Sequence, residues 1–280
     1  MLFLGLTLAL FSAPLTTLIK FSFQQEEYSH VILIPMLSAS LLLLERKRMF
    51  SRTETQWAVA LPLLVTGVLV YSFGQRYSAS LSQNDHLSIA TLGVVVIWLS
   101  GFVLCYGTRA FRTGLFPLLF LFLMVPIPDF LLNQAIVSLQ AGSAEVSYAA
   151  FQLIGLPVFR TGFIFALPGV TIEVAKECSG IRSSLALLIL SLLAGHLFLR
   201  SAWAKAVLIL AALPVLIVKN GIRIVTLSLL SIYVDPGFLT GNLHRQGGIL
   251  FFLLALGLLA PVLWLLHPSG QGTGSKRPGQ

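Results

Sequence analysis

Apolar residues run along this chain in blocks too long and too uniform for the core of a soluble protein. Stretches near 2–19, 31–44, 57–73, 87–106, 115–132, 183–199, 204–223 and 248–266 carry almost no charge. About 20 such residues in helical conformation cross the roughly 30 Å hydrocarbon layer of a bilayer. The pattern therefore predicts an all-α polytopic membrane protein with about eight transmembrane helices, the second from the shortest block. Phe11-Ser12-Ala13 resembles a signal-peptide cleavage site, but no basic residue precedes it, so the first block is expected to remain as an anchor.

The fifth and sixth blocks are separated by the longest semi-polar segment, about 128–178. In its first half, Asn133 to Leu156, Ile136, Val137, Leu139, Val146, Phe151 and Ile154 alternate with Gln, Ser and Ala, a pattern for an amphipathic helix. In its second half, Arg160 to Leu167 is rich in Phe and Ile, and Pro168-Gly169 marks a turn. Beyond it Val170, Ile172 and Val174 alternate with Thr171 and Glu173 at the period of a strand. A short β-hairpin is expected there, leading directly into residue 178 and the sixth span. Its edge suits strand addition by an extended peptide, although a purely structural hairpin has the same pattern. Residues 1–267 thus form a single integral membrane domain. The glycine-rich polar residues 268–280 read as a disordered cytoplasmic tail.

Composition agrees with this picture: 56% of residues are hydrophobic and 10% charged, with mean hydropathy +0.91. The charges that remain set an orientation. With the N-terminus inside, the inner segments hold Arg46, Lys47, Arg48, Arg52, Arg109, Arg112, Arg200, Lys205, Lys276 and Arg277 against only Glu45 and Glu54. The other eight acids fall outside. The positive-inside rule then predicts an N-in, C-in protein of the cytoplasmic (inner) membrane, with residues 128–178 at the outer face. The net charge of +8 is explained by topology and by contact with membrane lipids. Nucleic acid is not expected, because no basic patch is interleaved with aromatics and no phosphate-cradling glycine loop is present.

Topology also sorts the reactive side chains. Cys178, in Glu177-Cys178-Ser179-Gly180-Ile181-Arg182, opens the sixth span on the outer face. Water, neighbouring cations and a helix N-terminus all favour its thiolate there. Cys105 lies near the inner end of the fourth span, too far for a disulfide, and is expected to fill space as a small hydrophobe. His196 stands 18 residues beyond Cys178 on one helix, about 27 Å away, and His267 is on the inner side. His30, His86 and His244 remain on the outer face, and His244 is set apart by its polar, glycine-bracketed surroundings, Gly241 to Gly248. Arg223, in Lys219-Asn220-Gly221-Ile222-Arg223, is a charge inside an apolar stretch at the level of the outer interface. Such a residue either serves a site or snorkels to the headgroups. Asn220 shares its helix face.

Cys178, Arg223 and His244 suggest a division of labour: a thiol nucleophile, a cation for the developing oxyanion or substrate carbonyl, and a base or ion-pair partner. Arg182, one turn past the cysteine, tunes the thiol or binds a substrate anion. No metal or other cofactor is expected, since H-E-x-x-H and similar ligand spacings are missing.

The segments ECSGIRS, NGIRIV and HRQGG, in this order at the outer ends of late helices, resemble the exosortase and archaeosortase family of protein-sorting transpeptidases. The resemblance implies that Cys178, Arg223 and His244 are the catalytic residues. It further implies that the substrates are secreted proteins with a C-terminal sorting tail: a Pro-Glu-Pro-like motif, a membrane helix and a basic end. Cleavage before that helix passes through a Cys178 thioester, and the acceptor is a lipid or an exopolysaccharide precursor. The alternative is a lipid or polysaccharide-precursor carrier in which Arg182 and Arg223 bind phosphate and the cysteine is incidental.

Overall fold

The computed structural model describes residues 9, 11–50, 54–176, 180–239 and 248–267. The chain forms two compact units, Met1–Asn133 and Gln134–Gln280.

In the first unit, α1 (Ser12–Gln24) and α2 (Leu33–Met49) precede a long antiparallel pair, α3 (Trp57–Arg76) and α4 (Gln83–Thr113). Glycine lets this pair approach closely: a Cβ on Gly67 would lie 2.7 Å from an Ile97 side-chain carbon, and one on Gly93 2.8 Å from the Tyr71 backbone nitrogen. Such contacts hold helices together where lipid removes the hydrophobic drive to associate. Ser100 adds a hydrogen bond to the Ala60 carbonyl at 2.7 Å. After α4, the helical turns of α5 (Leu115–Phe120) and Leu121–Met124 end before Val125, and α6 starts at Asp129.

That break corrects the expectation of one span over 115–132. Pro126 and Pro128 lack the N–H groups needed to continue a helix, and the gap is tied down by polar groups from the start of α4. Asn84 donates to the Ile127 carbonyl and to Asp129, both at 2.8 Å, and the Asp129 N–H donates to Asp85 at 2.8 Å. Tyr28 donates to the same Ile127 carbonyl at 3.2 Å.

The expected eight spans are found in part, and residues 2–8 and 10 of the first block lie outside the described residues. Five described helices are long and apolar enough to cross a membrane: α3, α4, α7 (Ile181–Phe198), α8 (Ala202–Tyr233) and α9 (Gly248–Leu266). The number rises to six if Leu115–Met124 and α6 (Asp129–Leu153) make one bent span. The described part of α1 has 13 residues, a rise of about 20 Å. The 17-residue α2 ends in Arg46, Lys47 and Arg48, which belong in headgroups rather than hydrocarbon.

In the second unit, the expected amphipathic helix is present as α6. The expected hairpin is a three-stranded antiparallel sheet, β1 (Phe159–Thr161), β2 (Ile164–Leu167) and β3 (Val170–Glu173). The extra strand comes from a turn at Gly162, whose φ of +62° glycine adopts without a Cβ clash. Gly169, at φ +77°, makes the Pro168-Gly169 turn that the sequence marked. Phe165 and Ile172 pair across β2 and β3 and are buried with Leu167 and Val174 against Ala144 and Phe151 of α6 and Ile224 of α8. A second apolar cluster joins Leu187 of α7, Leu208, Ala212 and Leu216 of α8, and Ala255 and Leu259 of α9.

Candidate active site

The helix that follows the cysteine is fixed by Gly180. This residue caps α7 at φ +70°, a left-handed conformation that costs other residues about 1 kcal/mol or more. Its carbonyl accepts from the hydroxyls of Ser183 and Ser184, each at 2.9 Å. Cys178, Glu177 and Ser179 lie outside the described residues, as does the segment 240–247 with His244. Two peptide links join Cys178 to Gly180, so their Cα atoms are within about 7 Å by covalent geometry alone.

Gly180 rests on the polar turn of α8. A Cβ built on it would stand 3.1 Å from Lys219 Nζ, 3.2 Å from Asn220 Oδ1 and 3.4 Å from Ser183 Oγ. Lys219 is only 2% exposed, and its ammonium donates to Ser183 Oγ at 2.7 Å. Asn220, 1% exposed, donates to Ser143 Oγ of α6 at 2.9 Å. Arg223 is half-buried one turn further on, on the same face as Lys219 and Asn220. Arg182 lies exposed in the first turn of α7. The described fold therefore brings the start of α7 onto Lys219 and Asn220 and places Arg223 on the next turn of the same helix.

α6 supports this assembly from behind. Gln140, 5% exposed, donates to the Val174 carbonyl at 2.7 Å and so fixes the chain where it leaves β3 for α7. Ser147 donates to the Ser143 carbonyl at 2.7 Å. Here α6 and α8 meet at Gly221, where a Cβ would approach Val146 Cγ1 to 2.5 Å and Val146 Cβ to 2.9 Å. Gly221→Val is expected to destabilise the protein by about 1–3 kcal/mol through overpacking, read as a lower thermal midpoint in detergent. Gly257→Val, where a Cβ meets nothing within 4 Å, should leave the midpoint in place.

The other histidines separate as follows. His196 is in the last turn of α7, 15 residues from Ile181 and thus about 23 Å along the axis. His267 follows the end of α9 and is exposed. His30 and His86 belong to the first unit, and burial pushes the His30 imidazole below its usual range. Cys105 is exposed on α4 and does not fill space within the bundle, a correction to its expected role.

The sequence reading passed over Lys219, Ser183, Gln140 and Ser143. Lys219 carried a usable signal, since a lysine in an apolar helix four residues from an arginine asks for a partner as much as the arginine does. The partners of the hydroxyl and amide groups lie 34 to 77 residues away in sequence, and no local pattern points to them.

Neither a curated protein nor a solved structure matches the chain. A family model described as transmembrane exosortase matches residues 22–261, most of the chain and every element from the end of α1 into α9. The semi-polar segment, the glycine-capped start of α7 and the polar turn of α8 all fall within that match, and the protein belongs to the transmembrane exosortase family.

Proposed function

We propose that the protein is a cysteine peptidase and transpeptidase of the inner membrane, with its site at the outer face and its N- and C-termini inside. Its substrates are secreted proteins carrying a C-terminal sorting tail. The Cys178 sulfur attacks the carbonyl of the peptide bond just before the tail's membrane helix. Arg223 stabilises the oxyanion that forms. His244 accepts the thiol proton and returns it to the leaving amine, so the tail departs with a free N-terminus and the substrate stays on Cys178 as a thioester. An acceptor nucleophile, lipid-linked or an exopolysaccharide precursor, then displaces the sulfur. Asn220 and Arg182 contribute to substrate binding or to tuning of the thiol.

One observation carries this reading: Gly180, two residues after the cysteine, packs on the Lys219-Asn220 turn that leads to Arg223. A substrate anchored by its own helix presents its scissile bond at the interface, and the shared depth supplies part of the orientation. Family membership supports the same chemistry.

Trapping the intermediate tests it. Purified protein mixed with a tailed substrate and no acceptor should accumulate an adduct that hydroxylamine releases and that peptide mapping assigns to Cys178. An adduct on another residue, or turnover with none detectable on rapid quenching, would count against the thioester route.

A further inference from the structure

Arg160 is held firmly, but by an anion that can be replaced. Its guanidinium carbon lies 5.8 Å from the centre of the Tyr148 ring of α6 and 5.7 Å from that of Phe165 of β2. Its Nε donates to the Gly162 carbonyl at 2.8 Å, and Nη1 meets Glu145 Oε1 at 2.9 Å. The rings and the carbonyl fix the direction of the cation. The carboxylate comes from a side chain that is 68% exposed, against 19% for Arg160. An ion pair with so exposed a partner is weak, because water and salt screen it. The β1 edge beside this cation is open. Thr161 and Ile164 are register partners across the Gly162 turn and so exchange hydrogen bonds; the next pair, Arg160 with Phe165, does not. The N–H and C=O of Arg160 therefore face away from β2, and among the described residues no hydrogen bond reaches them. The other edge strand, β3, is covered: Ile172 and Val174 are buried with Ile224 of α8, and Gln140 donates to the Val174 carbonyl.

We propose that the β1 edge and Arg160 bind an extended peptide segment carrying an acidic side chain, with Glu145 as the internal anion that the peptide carboxylate displaces. This rests on the reading of the substrates as secreted polypeptides and adds the place where such a chain is gripped. A strand laid beside β1 exchanges both backbone hydrogen bonds with Arg160 at the residue directly opposite. That residue has its side chain on the same face, with Cβ atoms about 5 Å apart, so a carboxylate there reaches the guanidinium. Its two neighbours turn to the other face, beside Thr161 and Phe159, and Phe159 is 73% exposed. Apolar side chains bury area at those positions, and since their N–H groups point away from β1, proline is tolerated there. The main chain then supplies affinity and Arg160 the choice of side chain. An anionic headgroup would use the cation but not the strand edge, and the two together favour a peptide. The sheet lies in the same unit as α7 and α8 and runs through Val174 toward α7.

The test is fluorescence anisotropy of a labelled peptide, Thr-Val-Glu-Val-Thr with blocked ends, and of its counterpart with Gln in place of Glu, on purified full-length protein in detergent at low salt. The parent should bind the Glu peptide about tenfold more tightly than the Gln peptide. Glu145→Gln, which frees the guanidinium, should tighten the Glu peptide about threefold and leave the Gln peptide nearly unchanged. Arg160→Gln should bind both peptides equally and weakly.

Equal binding of the two peptides by the parent, or binding of neither, overturns the proposal. So does weaker binding of the Glu peptide by Glu145→Gln, the result expected if the ion pair only fastens β1 to α6. A change in co-purified phosphatidylglycerol in Glu145→Gln at unchanged peptide affinity also overturns it, by assigning the guanidinium to a headgroup. If Arg160→Gln fails to accumulate, the other two comparisons still decide, because both keep the arginine. Binding is read without turnover, so a failure here is separate from failure of the thioester mechanism.

Discussion

Cys178→Ala should leave the tailed substrate uncleaved in cells, with processing down at least about 10³-fold, while the variant itself inserts and accumulates normally. The size follows from the role: removing a covalent nucleophile leaves only binding and oxyanion stabilisation, which do not break the bond by this route. Cys178→Ser should be nearly as inactive, since a hydroxyl lacks the low pKa and intrinsic nucleophilicity of a thiol. The measurement is the ratio of full-length to shortened substrate by immunoblot, beside the membrane level of the variant. Normal maturation with Cys178→Ala would remove the nucleophile assignment. The carrier reading makes the opposite forecast, with Cys178→Ala tolerated and Arg223→Ala damaging, so the two variants together separate a peptidase from a phosphate-binding carrier.

The parts of this fold that were legible in sequence are those whose signal is local. α3, α7 and α9 appear where uninterrupted apolar runs place them, and the Pro168-Gly169 turn appears where two residues specify it. Failures came where distant groups decide. The run 115–132 has the average hydropathy of a span, yet Asn84 and Asp85 reach across more than 40 positions to fix the break at Ile127 and the start of α6 at Asp129. The third strand hung on the single glycine turn at Gly162, inside a stretch that reads as one apolar strand.

For the site, Arg223 was visible because a charge in an apolar block is costly wherever the block folds. Lys219 met the same condition. Its significance comes from Ser183 and Gly180 on another helix, and sequence spacing does not encode that juxtaposition. Asn220 shows the converse: it was singled out by its helix face, and the structure adds that its amide donates to Ser143 of α6.

Arg223→Ala should lower kcat for tail cleavage by about 10²–10³-fold, the loss typical of removing one oxyanion donor, with a much smaller change in KM. An interaction made only as the carbonyl oxygen gains charge is absent from the ground state, so its removal appears in kcat. Arg223→Lys is the more telling variant. Lysine keeps the positive charge but replaces a rigid planar fork with a flexible point charge. If the guanidinium must meet the oxyanion in a fixed direction, Arg223→Lys should stay close to Arg223→Ala; near-parent activity would reduce the arginine to a source of field. Snorkelling predicts a third pattern, because a residue that only reaches for headgroups tolerates lysine fully and alanine with little loss of rate.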